Sequence, residues 1–368
     1  MTQTYSAVVR PRVMASDGET RLLDDIVEEL LRKGRPQQII IKGTRGSGKT
    51  FAIQHIAERF AAEVTSGMIR LIDEPSLRGK STETTDSTAD NAPLLTLISA
   101  RDHDCSNATV YQLAAWDQDD VIEFVLHRFP EQSSLLLNRT KDGAFLEGLP
   151  ELWVLVLEEL AANRLLPCVE TAIWSILHRV YCNGTELSDA GQTAWDDFQS
   201  GKLFEQDSVE AAQPKSSKVR LRRLYPVQCL LAAEYFCSKL RTRGGTSILN
   251  APIPEDLLPI IARRLRDNST VMSDLAALLA PCSDATLHSS AVTLLLAIDS
   301  SWRPSNSMTR INLNRAVLDG AHWSEVDLSH ATMNGTCGNE AKFHNCDLSN
   351  VQAGHASFRR SSFRHANL

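Results

Sequence analysis

The chain has 368 residues, which at about 150 residues per domain suggests two or three domains. Its 43% apolar and 23% charged content is that of globular proteins and excludes wholesale disorder, collagen and coiled coil. The 38 basic residues against 45 acidic ones leave a net charge of −7, which argues against nucleic acid or an anionic membrane as a main partner.

The first residues, MTQTYSAVVRPRV, lack the apolar run of a signal peptide. No apolar stretch approaches the roughly 18 residues that span a bilayer. A cytoplasmic protein without membrane contact is expected. Residues 1–16 read as an N-terminal tail, and Ser16 with Glu19 reads as a capping box ahead of an amphipathic helix over Arg21–Lys33. Short β-rich runs follow at Gln38–Lys42, Ile69–Asp73, Leu94–Ser99 and Thr109–Leu113, with helical stretches between some of them. That alternation predicts an α/β domain built on a parallel sheet.

Between the first of these strands and a helix over Phe51–Val64 lie Gly43, Thr44, Arg45, Gly46, Ser47, Gly48, Lys49 and Thr50, which match GxxxxGK[ST]. Glycines let a backbone wrap a phosphate with its N–H groups, and the helix that follows aims its positive end at the same point. Lys49 is expected to reach the β- and γ-phosphates, and the Thr50 hydroxyl to ligate Mg²⁺. The next strand ends in the acid pair Asp73 and Glu74. Asp73 is expected in the Mg²⁺ shell, and Glu74 to orient or deprotonate an attacking water. Only 24 positions separate Lys49 from Asp73, too few for a further strand between them. Arg101 closes the next strand, where a cation can sense a γ-phosphate. A helical lid opens at Leu113-Ala114-Ala115-Trp116-Asp117, and Gly148-Leu149-Pro150 opens the apolar helix Leu152–Leu160.

Taken in order, GTRGSGKT, LIDEP, ISAR, the strand leading into LAAWDQDDVIEFV, and GLP resemble the STAND class of signal-transduction P-loop ATPases, the NACHT and NB-ARC group. The resemblance covers residues 17–165. It implies a P-loop core over 17–115 and a lid with a GxP motif over 116–165. It also implies that Arg101 touches the terminal phosphate, that Pro150 packs near adenine, and that a nucleotide-controlled switch oligomerises when a sensor meets its trigger. Against that pattern the core is one strand short, which predicts a four-stranded sheet, and the helical region shows no His-containing switch motif. Thr140-Lys141-Asp142-Gly143 lacks the closing Asp of a guanine-reading motif, which favours ATP over GTP.

Residues 166–303 read as a helical array, with helices at Val227–Leu240, Leu257–Leu265, Met272–Leu279 and Leu287–Ile298 and a polar loop over Gly201–Ser217. The basic run Lys215, Lys218, Arg220, Arg222 and Arg223 has no interleaved aromatics and reads as a solvated face rather than a nucleic-acid site. Eight cysteines, none in a CxxC pair, read as reduced thiols without a metal site.

Residues 304–368 carry a period of five. Stepping back from Leu368 through Phe363, Phe358 and so on to Leu313, ten of twelve positions are large and apolar, with Ala353 and Gly338 the exceptions. Two residues before each stands a mostly small one. A period of five suits neither a helix nor a flat strand. Triplets such as Ala366-Asn367-Leu368 and Cys346-Asp347-Leu348 resemble pentapeptide-repeat proteins, which implies a right-handed quadrilateral β-helix of about 20 residues per coil. Its charge is balanced, which argues against a DNA mimic, and none of its histidines is 20 residues from another.

The expected protein is therefore multidomain, α/β then α then β, and binds ATP and Mg²⁺. It reads as a STAND-like switch and slow ATP hydrolase. An unidentified protein trigger or effector is expected on the helical array and repeats, with homo-oligomer formation on activation. Two other readings stay open: a nucleotide-binding scaffold that does not hydrolyse, and a small-molecule kinase. The last pentad is unfinished at Leu368, so a truncated chain or a partner stacked there is expected.

Overall fold

The computed structural model describes residues 9–44, 46–73, 93–100, 108–181, 184–201, 221, 224–242, 245–280, 284–304 and 307–368. The chain divides into two compact units, Met1–Gly184 with Ser208–Pro226, and Thr185–Asp207 with Val227–Leu368.

The first unit is organised by β3 (Gln37–Lys42), whose Ile39, Ile40 and Ile41 are all buried, as the centre of a parallel sheet requires. β5 (Leu95–Ala100) and β6 (Thr109–Leu113) flank it in parallel, and β4 (Ile69–Ile72) lies parallel beyond β5. At the other edge β1 (Arg12–Met14) runs antiparallel to β6 and to β2 (Thr20–Leu22). The order is β2-β1-β6-β3-β5-β4. Four parallel strands agree with the pattern of apolar runs. The antiparallel pair is additional, and its first strand comes from residues expected to be a tail.

The hairpin also corrects the capping box. Ser16 and Glu19 sit in the β1–β2 turn, where the N–H of Gly18 donates to the Ala15 carbonyl and the N–H of Glu19 to the Asp17 carboxylate. Gly18 supplies the left-handed φ of +86°. Helix α1 (Leu23–Lys33) starts after Leu22 without a side-chain cap, and Asp24 and Asp25 complement its dipole instead. The helix after the loop is split at Phe60 into α2 (Lys49–Arg59) and α3 (Ala61–Thr65). Helices α1 and α2 cover one face of the sheet with Ile26, Val27, Ile53 and Ile56. Behind that face His55 Nε2 meets Asp24 Oδ1 at 2.7 Å, both side chains buried. Helices α4 (Gln118–Arg128), α5 (Ser133–Arg139), α6 (Pro150–Ala162) and α7 (Val169–Val180) follow.

The second unit holds α8 (Gly184–Ser200), α9 (Tyr225–Leu240), α10 (Leu258–Leu265), α11 (Ser269–Ala277) and α12 (His288–Ile298), then the repeat region. The expected polar loop over Gly201–Ser217 falls almost wholly outside the described residues. In the repeat region each segment pairs in parallel with the one 20 residues on. Trp323 faces Phe343 between β7 (His322–Ser324) and β8 (Lys342–His344), and bridges such as Asn312 with Thr332 and Thr332 with Gln352 continue the pattern.

The period of five has a backbone cause. Every fifth residue from Arg310 to His365 has φ between +53° and +68°. Two of these twelve corners are glycine and two asparagine; the other eight are Arg, Glu or His, which adopt that conformation at a cost of about 1 kcal/mol each. Between corners, two side chains point inward. Gly338 breaks the rule because the Phe358 ring from 20 residues on fills its place: a Cβ at 338 would stand 2.6 Å from Phe358 Cε1.

Helix α12 closes the upstream edge of this ladder. Inside the repeat, N–H groups such as those of Thr332 and Cys337 donate to carbonyls about 20 residues earlier. For Asn312 and Val317 the acceptors are His288 Nδ1 at 3.4 Å and Thr293 Oγ1 at 3.0 Å on α12. Val292 and Leu296 extend the repeat's apolar core into the same helix. Burial lowers the His288 pKa below its usual 6.5, with Asp284 partly opposing. The unfolded chain therefore binds this proton more readily than the folded one, so His288 contributes stability that is complete above pH 6.5 and is lost as pH falls below it. The melting temperature is expected to fall more between pH 7.5 and 5.5 in the native chain than in His288→Gln, and scanning calorimetry at the two pH values checks this. Equal falls would contradict it.

Candidate functional site

The GxxxxGK[ST] segment runs from the end of β3 into the first turn of α2, at the edge where the parallel strands end. Its three glycines do different work. Gly46 and Gly48 hold φ of +76° and +90°, which only glycine adopts without strain. Gly43 is crowded instead: a Cβ there would lie 2.4 Å from Ser47 Oγ. The loop is closed on itself by the Ser47 N–H, which donates to the Thr44 carbonyl at 3.3 Å, and the Glu151 N–H donates to the Gly46 carbonyl at 3.3 Å.

Three features line this loop with hydrogen-bond donors that suit an anion. Helix α2 has no side-chain cap and no acid in its first turn, so its leading N–H groups and positive dipole end face the loop. Ser47 Oγ is buried without a hydrogen-bond partner. Lys49 is 5% exposed, and its ammonium donates to the Gly43 carbonyl at 2.6 Å and the Thr44 carbonyl at 3.0 Å, back across the loop. Thr50 is exposed in the same turn of α2.

Asp73 follows β4, two strands from β3, and accepts a 2.5 Å hydrogen bond from the hydroxyl of Ser99. Ser99 is fully buried in β5 and lies opposite Ile41 of β3, so it stands between the loop strand and Asp73. Nothing in the sequence singled it out, because one serine in LTLISA looks like an ordinary strand residue. Pro150, about a hundred residues from the loop in sequence, is brought beside it: its ring lies 3.5 Å from where a Cβ on Gly48 would be. Pro150 also shares a small pocket with Ser47, Gly48, Phe51, Leu113 and Trp116. Arg45, Glu74 and Arg101 lie outside the described residues, as does all of the basic run from Lys215 to Arg223.

Outside the loop, the repeat region is the second feature with recognisable character. Residues 307–337 and 339–368 match the family model for pentapeptide repeats, in eight copies. The C-terminal segment is built of pentapeptide repeats. The residue between the two matched stretches is Gly338, the inward position taken over by Phe358. No curated protein matches the chain. Some outward side chains of the repeats are engaged in local hydrogen bonds, as when Asp327 and Asp347 accept from the N–H groups of Ser329 and Ser349. Asp327, for example, is held down to about 2 by the Ser329 hydroxyl and N–H and by the Thr309 and Ser307 hydroxyls. Among the described residues no three His, Cys, Asp or Glu side chains converge as a metal site, and no helix is long and apolar enough to cross a membrane.

Proposed function

We propose that this chain is an ATP-binding switch of the STAND type, with slow hydrolysis, whose nucleotide state governs binding of a protein partner and self-assembly. The observation that carries the reading is the cradle: a buried lysine and an unpartnered buried serine hydroxyl around a glycine loop that leads into an uncapped helix. An arriving triphosphate would take the Lys49 ammonium from the Gly43 and Thr44 carbonyls and present oxygens to Ser47 and the α2 N–H groups. In this reading the hydroxyl of Thr50 and the carboxylate of Asp73 would supply oxygen donors of the kind Mg²⁺ prefers, and Ser99 holds that carboxylate. Magnesium held there would neutralise charge at the phosphates. Phe51, Leu113, Trp116 and Pro150 give the adjoining pocket of about 20 Å³ apolar walls, against which a base would lie once the pocket widened. In the same reading Arg101 contacts the terminal phosphate and Glu74 orients water.

The pentapeptide repeats then serve as the partner-binding arm, read as a right-handed quadrilateral β-helix from the 20-residue pairing and the fivefold corners. The test is to purify the full chain, identify any bound nucleotide, and measure the mass of the assembly in ADP and in ATP. The reading predicts adenine nucleotide and a nucleotide-dependent mass. A chain that carries no nucleotide and keeps one mass in both would overturn it.

A further inference from the structure

The base-side pocket has a polar wall that the phosphate loop does not explain. Arg12 of β1 donates to Asp117 at 2.9 Å and also to Asp120. These two acids are the two halves of the capping box of α4: the Asp117 carboxylate accepts from the N–H groups of Asp119 and Asp120, and Asp120 accepts from the Asp117 N–H. One guanidinium therefore ties β1, the strand between β2 and β6, to the first turn of a helix more than a hundred residues away. The backbone repeats the connection, since the Ala114 N–H, three residues before the cap of α4, donates to the Arg12 carbonyl at 2.9 Å; the Trp116 N–H in turn donates to the Gly148 carbonyl at 2.8 Å, beside Pro150. Arg12 and Asp120 line the pocket together with Ser47, Gly48, Trp116 and Pro150.

We propose that Arg12 is a positioning residue that clamps the start of α4 against β1 and so sets how long a nucleotide stays in the pocket. The proposal rests on the nucleotide reading of the loop and assigns the control of its release. The nucleoside end would sit against the wall that Arg12 holds, and the phosphates at Gly46–Thr50. Asp120 is 6% exposed, and burial pushes its carboxyl up against the lowering pull of the Asp117 N–H and Arg12. Removing the guanidinium leaves a buried carboxyl without its cation, which loosens the first turn of α4 rather than the phosphate loop.

The experiment uses the full chain, a fluorescent ADP analogue released by an excess of ADP, and inorganic pyrophosphate as a competitor that needs only the phosphate end. Arg12→Ala is expected to speed release about tenfold with pyrophosphate affinity unchanged. Asp117→Asn keeps a good helix cap while removing the charge, and is expected to speed release in the same direction. Release within twofold of the native chain in both variants would overturn the clamp, as would an equal loss of ADP and pyrophosphate binding. A native chain that binds neither ligand would overturn the nucleotide reading itself, and the clamp with it.

Discussion

Replacing Lys49 with alanine is expected to weaken ATP binding by about 100-fold, or ~3 kcal/mol, while the fold survives. The side chain is buried and its ammonium is held by two loop carbonyls, so it already sits where a phosphate would arrive. A charge-assisted contact made away from water is among the stronger single contributions to phosphate binding. The structural cost is smaller, because alanine continues α2 well and leaves two carbonyls that water can reach once the side chain is gone. Fluorescent-nucleotide titration beside a melting curve separates the two effects. Unchanged ATP affinity in a folded variant would remove Lys49 from the site.

Gly148→Ala is expected to be the most damaging single-methyl change near the site. Gly148 has φ of +63°, and a Cβ there would come within 2.4 Å of the Trp116 carbonyl oxygen and 2.8 Å of the Ala115 Cβ. Neither neighbour can rotate away, because one is backbone and the other is fixed to it. The chain must shift, which breaks the bond between the Trp116 N–H and the Gly148 carbonyl and moves Pro150 off Gly48. A loss of about 2–4 kcal/mol in stability follows from the combined strain and lost hydrogen bond. Denaturant unfolding checks the stability, and ADP affinity checks the wall. By contrast an alanine at Gly34, also left-handed but with open space around it, carries only the backbone strain.

Much of this was legible in the sequence, for identifiable reasons. The strands at 38–42, 95–99 and 109–113 are short apolar runs between turn residues, and no competing helical period obscures them. The glycine-rich turn between β3 and α2 was legible because its glycines are required by local backbone shape, which a short motif can encode. The hairpin over 12–22 was hidden, since Ser-Asp-Gly-Glu serves a turn as well as it serves a helix cap, and only the pairing of Val13 with Leu113 decides between them. Ser99 and Arg12 were hidden for a related reason: each matters through one distant carboxylate, Asp73 or Asp120, and no local period reports such a pair. In the repeats the period was plain but its origin was not, because the left-handed corners are filled by Arg, Glu and His more often than by Gly or Asn.

The central claim is that the Gly43–Thr50 loop binds a nucleotide, and calorimetric titration of the full chain with ATP in the presence of Mg²⁺ tests it most directly. The account predicts saturable binding of one ATP per chain, competed by ADP and by pyrophosphate. No heat of binding up to about millimolar ATP, from a chain whose melting curve shows it folded, would contradict the account.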